Sequence, residues 1–121
     1  LHALWDGGII ELMDHSARSL AAELNDEVKQ WASFRLDGAA RGNQDDWVWE
    51  SHLLAERHIY GRLHLPVEPP EFPRSCDQAP AAISRFHPRI DGLYIDDMKP
   101  VIRMQLQKGG LRLARLLNET L

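Results

Sequence analysis

Apolar residues recur at intervals of three and four along most of the chain, which is the spacing of amphipathic helices. The pattern predicts an opening helix that continues through Met13. Ser16 is the expected N-cap of a second helix ending at Leu24, where Asn25 and Asp26 interrupt the pattern. A short third helix is expected over residues 27–32. Every regular element that this pattern predicts is a helix, so the sequence predicts an all-α fold.

The middle of the chain contains one strong helix between two irregular stretches. Residues 34–44 contain several glycine and asparagine breakers and predict a loop. Asp45 or Asp46 is the expected N-cap of the next helix, which extends to Leu63. Six prolines between residues 65 and 92 rule out a long helix there and predict a structured excursion.

A long closing helix is the last predicted element. Asp97 is its expected N-cap, so that Pro100 falls in the first turn, where a missing N–H does no harm. Gly109 and Gly110 predict close approach by another helix, and two shorter helices joined at these glycines are the alternative. The predicted apolar stripe consists of Val101, Ile102, Leu106, Leu113, Leu116 and Leu117.

Composition and charge limit the classes of function. The 121 residues, 44% hydrophobic and 26% charged, suit one soluble globular domain with a modest core. No apolar run approaches the ~20 residues of a membrane span, so no membrane partner is expected. The single cysteine, Cys76, excludes an internal disulfide. The net charge of −4 argues against broad electrostatic binding of phosphate. If the protein binds phosphate, metal ions or basic residues outside this chain would have to hold it.

The first residues carry the candidate chemistry. In a helix, His2 and Asp6 are i and i+4 neighbours and lie one turn apart on the same face, while Trp5 points into packing. An imidazole nitrogen and a carboxylate oxygen both suit zinc, so the pair is a candidate metal site. The alternative is an ordinary hydrogen-bonded surface pair. The spacing alone leaves both interpretations open.

Three segments of the chain resemble the S1/P1 nuclease family. Residues 1–6, Leu-His-Ala-Leu-Trp-Asp, resemble the family's Asn-Leu-His-x-x-Trp-Asp segment. Residues 49–55, with Tyr60 beyond them, resemble its Trp-Ala-x-Glu-Ser-x-x-Leu-Ala helix, and residues 100–118 resemble its closing helix. In the closing helix Arg112 is expected to make a buried or half-buried salt bridge, with phosphate contact as the alternative. The resemblance implies a helical, bundle-like part of a phospholipase C/P1 nuclease-type fold.

The resemblance also implies which residues of this chain bind zinc and which part of the family's domain the chain forms. His2 and Asp6 correspond to ligands of one of three zinc ions, and no catalytic residue is expected in this chain beyond these metal ligands. The family's other zinc-binding segments have no counterpart here. Residues 1–121 are therefore expected to form the C-terminal portion of a single nuclease-like domain. Its partner would be the missing N-terminal half, and the chain alone is expected to be inactive.

The activity implied by the resemblance is that of a zinc-dependent endonuclease. Such a phosphodiesterase hydrolyses single-stranded DNA or RNA to products with 5′-phosphates, and family members are secreted or periplasmic. Two alternatives remain open: a non-catalytic all-helical module, and a phosphoesterase similar to phospholipase C with three zinc ions. The helical module would be favoured if the helices closed a core without exposing a large apolar face. The other candidate histidines, His52, His58, His64 and His87, are not expected to bind metal.

Overall fold

The computed structural model describes residues 4–13, 16–64 and 90–121. These residues are predominantly helical and include no strand, which confirms the predicted all-α fold. Contacts between Cα atoms divide the chain into two compact units. The first unit comprises Leu1–Gly42 with Gly92–Leu121, and the second comprises Asn43–Asp91. No helix within the described ranges has the length and hydropathy needed to cross a membrane.

Two π-helical turns accompany the α-helices. In chain order the elements are the first π turn (Leu4–Gly8), α1 (Ile9–Met13), α2 (Ala17–Lys29), α3 (Ser33–Ala40), α4 (Gln44–Ala55), the second π turn (Glu56–Tyr60) and α5 (Gly92–Thr120).

Helix α5 is the central element of the first unit, since α1, α2 and α3 all contact it. Ile9 of α1 and Met98 of α5 are the largest side chains that are almost completely buried. The remaining buried apolar residues of this unit are Leu20, Leu24, Ala39, Tyr94 and Ile102. The described apolar core is therefore small and lies along one face of α5.

Polar side chains of α5 join it to α2. Arg103 donates to the carboxylates of Glu23, at 2.7 Å, and Glu27. The hydrogen bond to Glu23 raises the pKa of the Arg103 guanidinium, although partial burial acts in the opposite direction. Buried Gln107 donates to Glu27 at 2.7 Å and to the Leu24 carbonyl at 3.4 Å. Glu27 thus accepts from two successive turns of α5.

Two arginines of α5 bind the C-terminal end of α3. Buried Arg112 donates from Nε to the Ala39 carbonyl at 3.2 Å. Exposed Arg115 donates to the Ala40 carbonyl at 2.9 Å and to the Gly42 carbonyl at 3.3 Å. The last carbonyls of a helix have no intrahelical partner, so these guanidinium groups supply the missing donors. The predicted burial of Arg112 is confirmed, but the partner described here is a backbone carbonyl of α3, and the predicted salt bridge stays a prediction.

The N-terminus of α2 was predicted correctly and its C-terminus was not. Ser16 is the N-cap, and its side chain accepts from the backbone N–H of Ser19 at 3.4 Å. The helix continues through Asn25 to Lys29, so the separate helix over residues 27–32 is wrong. Glu27 explains the continuation, because its contacts with α5 hold this last part of α2 in place.

Helix α3 occupies most of the segment predicted to be a loop. It has no side-chain cap at its N-terminus, which left no local signal for a helix. Its stabilising contacts are tertiary: Ala39 is buried, and Arg112 and Arg115 bind its last carbonyls. Gly42, with a φ of 95°, follows the helix in the left-handed region that favours glycine, as a breaker should.

The N-cap of α4 is Asn43, two or three residues before the predicted caps Asp45 and Asp46. The Asn43 side chain accepts from the Asp46 N–H at 3.1 Å, and the Asp46 carboxylate accepts from the Asn43 N–H at 3.0 Å. Asp46 therefore acts as the third helical residue of a capping box. The predicted helix does continue towards Leu63, although it changes to π geometry after Ala55.

Helix α5 begins at Gly92, so Asp97 is not its N-cap and Pro100 lies inside it. A proline in a helix interior costs about 3 kcal/mol because a hydrogen bond is lost and the ring clashes with the preceding turn. The turns before Pro100 carry Tyr94 and Met98, which are buried four residues apart on one face. Burial of these two side chains offsets the cost of the proline.

Beyond Pro100, α5 is one continuous helix, which excludes the alternative of two helices joined at Gly109 and Gly110. A Cβ built at either glycine meets no atom within 4 Å, so the predicted close approach by another helix is wrong for the described residues. The predicted apolar stripe is also only partly buried: Ile102 is buried, but Leu113 is 57% and Leu117 48% exposed.

Substitution of Arg112 by Met should cost more stability than the same change at Arg115. Arg112→Met leaves the Ala39 carbonyl without its buried donor, and we expect a loss of about 2 kcal/mol in the free energy of unfolding. At exposed Arg115 water can replace the guanidinium, so Arg115→Met should cost below ~1 kcal/mol. Urea unfolding of both variants measures the difference, and equal losses would contradict the role of burial.

Two helical glycines should respond in opposite ways to alanine. A Cβ at Gly61 would lie 3.1 Å from the Glu56 carbonyl oxygen and 3.3 Å from that of Arg57, whereas Gly109 faces open space. We expect Gly109→Ala to raise the free energy of unfolding by up to about 1 kcal/mol through helix propensity. Gly61→Ala should lower it, because backbone carbonyls must move. A comparable gain at both positions in thermal unfolding would exclude a tight contact at Gly61.

Candidate functional site

The first π turn carries the backbone of one candidate metal ligand, Asp6. His2 lies outside the described residues, and the structure does not describe the side chain of Asp6. The predicted pairing of these two side chains therefore stays a prediction. What the structure does describe is the backbone of the ligand-bearing turn and the contacts that hold it.

Packing on α5 fixes the first π turn. Trp5 is half-buried, and its Nε1 donates to the hydroxyl of Tyr94 at 3.2 Å, which confirms that Trp5 points into packing. Tyr94 is itself buried at 4% exposure. Ile9, directly after the turn, is completely buried. Asp6 therefore lies between two residues that are fixed by the core. Single π-helical turns are rare and often occur at functional sites.

Gly7 leaves open space beside this turn. Glycines inside a helix are unfavourable, and the pair Gly7 and Gly8 therefore indicates close approach by a neighbouring helix, or by an ion or ligand. A Cβ built on Gly7 meets no atom within 4 Å, so no neighbouring helix among the described residues approaches it closely. The open space leaves room for an ion or ligand.

The donor chemistry of the predicted pair fits zinc. An imidazole nitrogen and a carboxylate oxygen are both common zinc ligands, and catalytic zinc sites usually have three protein ligands. Within the described ranges, no group of three or more histidine, cysteine, aspartate or glutamate side chains is placed to hold a metal ion. This search does not cover His2 or the side chain of Asp6, so the predicted pair stays a prediction.

The other candidate histidines occupy different surroundings, and His87 lies outside the described residues. Exposed His52 stacks on the ring of Trp49, with centroids 5.1 Å apart. Burial, together with the charges of Arg57 and Arg62, lowers the pKa of His58. Exposed His64 has a left-handed backbone with a φ of 53°.

Sequence analysis missed the exposed aromatic surface of α4. Trp49 is 61% exposed, and Ser51 is also exposed and donates to the Trp47 carbonyl at 2.9 Å. The spacing of three between Trp49 and His52 was the available signal, because such residues are neighbours on a helix.

The first unit also leaves an apolar groove of about 600 Å³ open to solvent. Its lining comes from α1, α2 and α5 and consists mainly of Ile10, Ala17, Leu20, Ala21, Leu24, Val28, Leu106, Gly110, Leu111 and Ala114. The described helices thus do not close a complete core. This was the condition that would have favoured a self-contained helical module, and the first unit does not meet it.

Comparison with protein families assigns the whole chain. The S1/P1 Nuclease family model matches residues 1–121, and the chain belongs to this family. The protein is accordingly a nuclease, a hydrolase whose substrate is nucleic acid. No curated protein and no solved structure gave a significant match.

Trp5→Phe should loosen the first π turn. The change keeps the aromatic packing but removes the hydrogen bond to Tyr94, and we expect a loss of about 1 kcal/mol in the free energy of unfolding. Amide exchange in Leu4–Gly8 should accelerate more than exchange in α3. Trp31→Phe is the matched control, since Trp31 is half-buried but makes a cation–π contact with Arg35 instead. Equal acceleration in both variants would mean that the Tyr94 bond does not hold the turn.

Proposed function

We propose that this nuclease is a zinc-dependent phosphodiesterase that cleaves single-stranded DNA or RNA and leaves 5′-phosphates. The observation that supports the proposal is the first π turn: Asp6 lies in a turn fixed by Trp5 and Ile9, in a chain of the S1/P1 family. A rigid backbone is what a metal ligand needs, because small displacements of a ligand weaken the site.

The residues of this chain would hold and orient the metal. When bound, zinc supplies Lewis-acid polarisation of the phosphate and activates water at neutral pH. His2 would bind in its neutral form through a ring nitrogen. Asp6 would bind through its carboxylate and reduce the positive charge of the site. The bond from Trp5 to Tyr94 would limit movement of Asp6 as the phosphate binds.

Further zinc ligands belong, in this proposal, to residues outside those described. Two ligands are one fewer than the usual catalytic set, so His2 and Asp6 by themselves would hold zinc weakly. Three ions in the complete enzyme, a contribution from an N-terminal half, and a secreted or periplasmic location complete the proposal and rest on the family resemblance.

The test is loss of zinc and cleavage together when either ligand is changed. In the complete enzyme, His2→Ala and Asp6→Asn should each lower the zinc content and reduce cleavage of single-stranded DNA roughly 100-fold or more, because Lewis-acid stabilisation contributes several kcal/mol. Asp37→Asn on the exposed surface of α3 is the matched control and should retain both. Metal analysis of the purified variants, with end-group analysis of the products, measures the outcome.

Several results would overturn the proposal. Full zinc content in both ligand variants would show that the pair is an ordinary surface contact. Products with 3′-phosphates would exclude the proposed direction of cleavage. Hydrolysis of phospholipid head groups with no cleavage of nucleic acid would favour the phospholipase C-like alternative.

A further inference from the structure

The surface of α4 carries a pair of stacked rings. Trp49 and His52 have ring centroids 5.1 Å apart and an angle of 24° between their planes. Trp49 is 61% exposed, and His52 is exposed as well. Large aromatic rings are normally placed where they bury most of their area. Here, contact with His52 restricts the Trp49 ring while most of its surface stays accessible.

Two arginines lie in and just after the second π turn. Arg57 belongs to the turn and Arg62 follows its C-cap, Gly61, whose N–H donates to the Glu56 carbonyl at 2.8 Å. The charges of both arginines lower the pKa of His58, after the larger effect of its burial, so both guanidinium groups lie near this imidazole.

The backbone of residues 56–64 departs from regular α-helical geometry. A Cβ at Gly61 would make tight contacts with two backbone carbonyls, and His64 adopts a left-handed conformation with a φ of 53°. Non-glycine residues in this conformation are uncommon, and strained backbones concentrate at functional sites. The exposed aromatic ring of Tyr60, at 38% exposure, lies between the two arginines in sequence.

The charge distribution favours a polyanion at one end of this surface. The chain has a net charge of −4, so a grip on phosphate has to be local. Asp45 and Asp46 lie at the N-terminal end of α4, whereas both arginines follow its C-terminal end, with Arg57 about 12 Å beyond Trp49 along the helix and Arg62 farther on. Glu56 is the one carboxylate within residues 56–64. Phosphates are thus attracted beyond Trp49 and repelled before it.

We propose that α4 and the second π turn form a binding surface for single-stranded nucleic acid. An unpaired base stacks on the exposed face of Trp49, and Arg57 and Arg62 contact the phosphates that follow it. Single-strand-binding surfaces combine stacking rings with nearby cations in this way, whereas the bases of a duplex are already stacked on each other. The proposal rests on the nuclease function and adds a substrate-holding surface separate from His2 and Asp6.

The first experiment measures binding without cleavage. Fluorescence anisotropy of a labelled single-stranded oligonucleotide, with chelator present to stop hydrolysis, gives the Kd for the complete protein. Trp49→Ala should weaken binding about 10-fold, the effect typical of one lost stacking contact. Val48→Ala is the matched control, because Val48 is 69% exposed on the same helix but has no ring. Its Kd should stay unchanged.

The second experiment tests the arginines through salt dependence. Each phosphate contact to a single strand contributes about 0.7 to the slope of log K against log salt concentration. Arg57→Ala and Arg62→Ala should each reduce the slope by roughly that amount. Arg18→Ala, at an exposed position on α2, removes the same charge elsewhere and should leave the slope as it is.

The outcomes separate this proposal from the zinc-dependent function. Unchanged Kd in Trp49→Ala, or slopes that match Arg18→Ala, would overturn the binding surface even if His2 and Asp6 prove essential for cleavage. A change in sedimentation with no change in Kd would instead assign the Trp49 face to self-association. Weak binding by Trp49→Ala with an unchanged zinc content is the result expected if the two sites are distinct.

Discussion

Polar contacts along α5 are the constraint on which the first unit depends. The fully buried apolar core has few large members, chiefly Ile9 and Met98, so burial alone gives little specificity. Gln107 and Arg112 are buried on the same helix and donate to α2 and α3. A buried donor that loses its partner costs more than the bond itself contributes, so these contacts fix the position of each neighbouring helix.

The same dependence extends to the candidate metal centre. Trp5 and Tyr94 are 89 positions apart in sequence and joined by one hydrogen bond. The first π turn is therefore tied to the last helix of the chain as well as to α1, which directly follows it. This arrangement suits a ligand such as Asp6, because a position set by the core varies little when substrate binds. It also explains why a short helix with two adjacent glycines can be ordered, although glycine is a poor helix former.

In the second unit, α4 leaves an aromatic side chain exposed to water. Stacking on His52 restricts the Trp49 ring, although the ring stays exposed. Arg57 and Arg62 follow at the second π turn and directly after it. In an acidic chain, the proposed binding surface combines ring and cation locally, where a single strand would be attracted despite the net negative charge. The proposed chemistry and the proposed grip on substrate therefore rest on separate residues.

By itself the sequence determined what depends on short-range bonds. The all-α fold, the cap at Ser16, the existence of a closing helix and the family follow from periodicity, local hydrogen bonds and motif, as does the candidate pair His2 and Asp6. Tertiary structure decided the rest. Helix α3 forms because Arg112 binds its end, and α5 runs through Pro100 because Tyr94 and Met98 are buried. Partners distant in sequence supply the free energy that offsets a weak local propensity, and a local pattern carries no record of them.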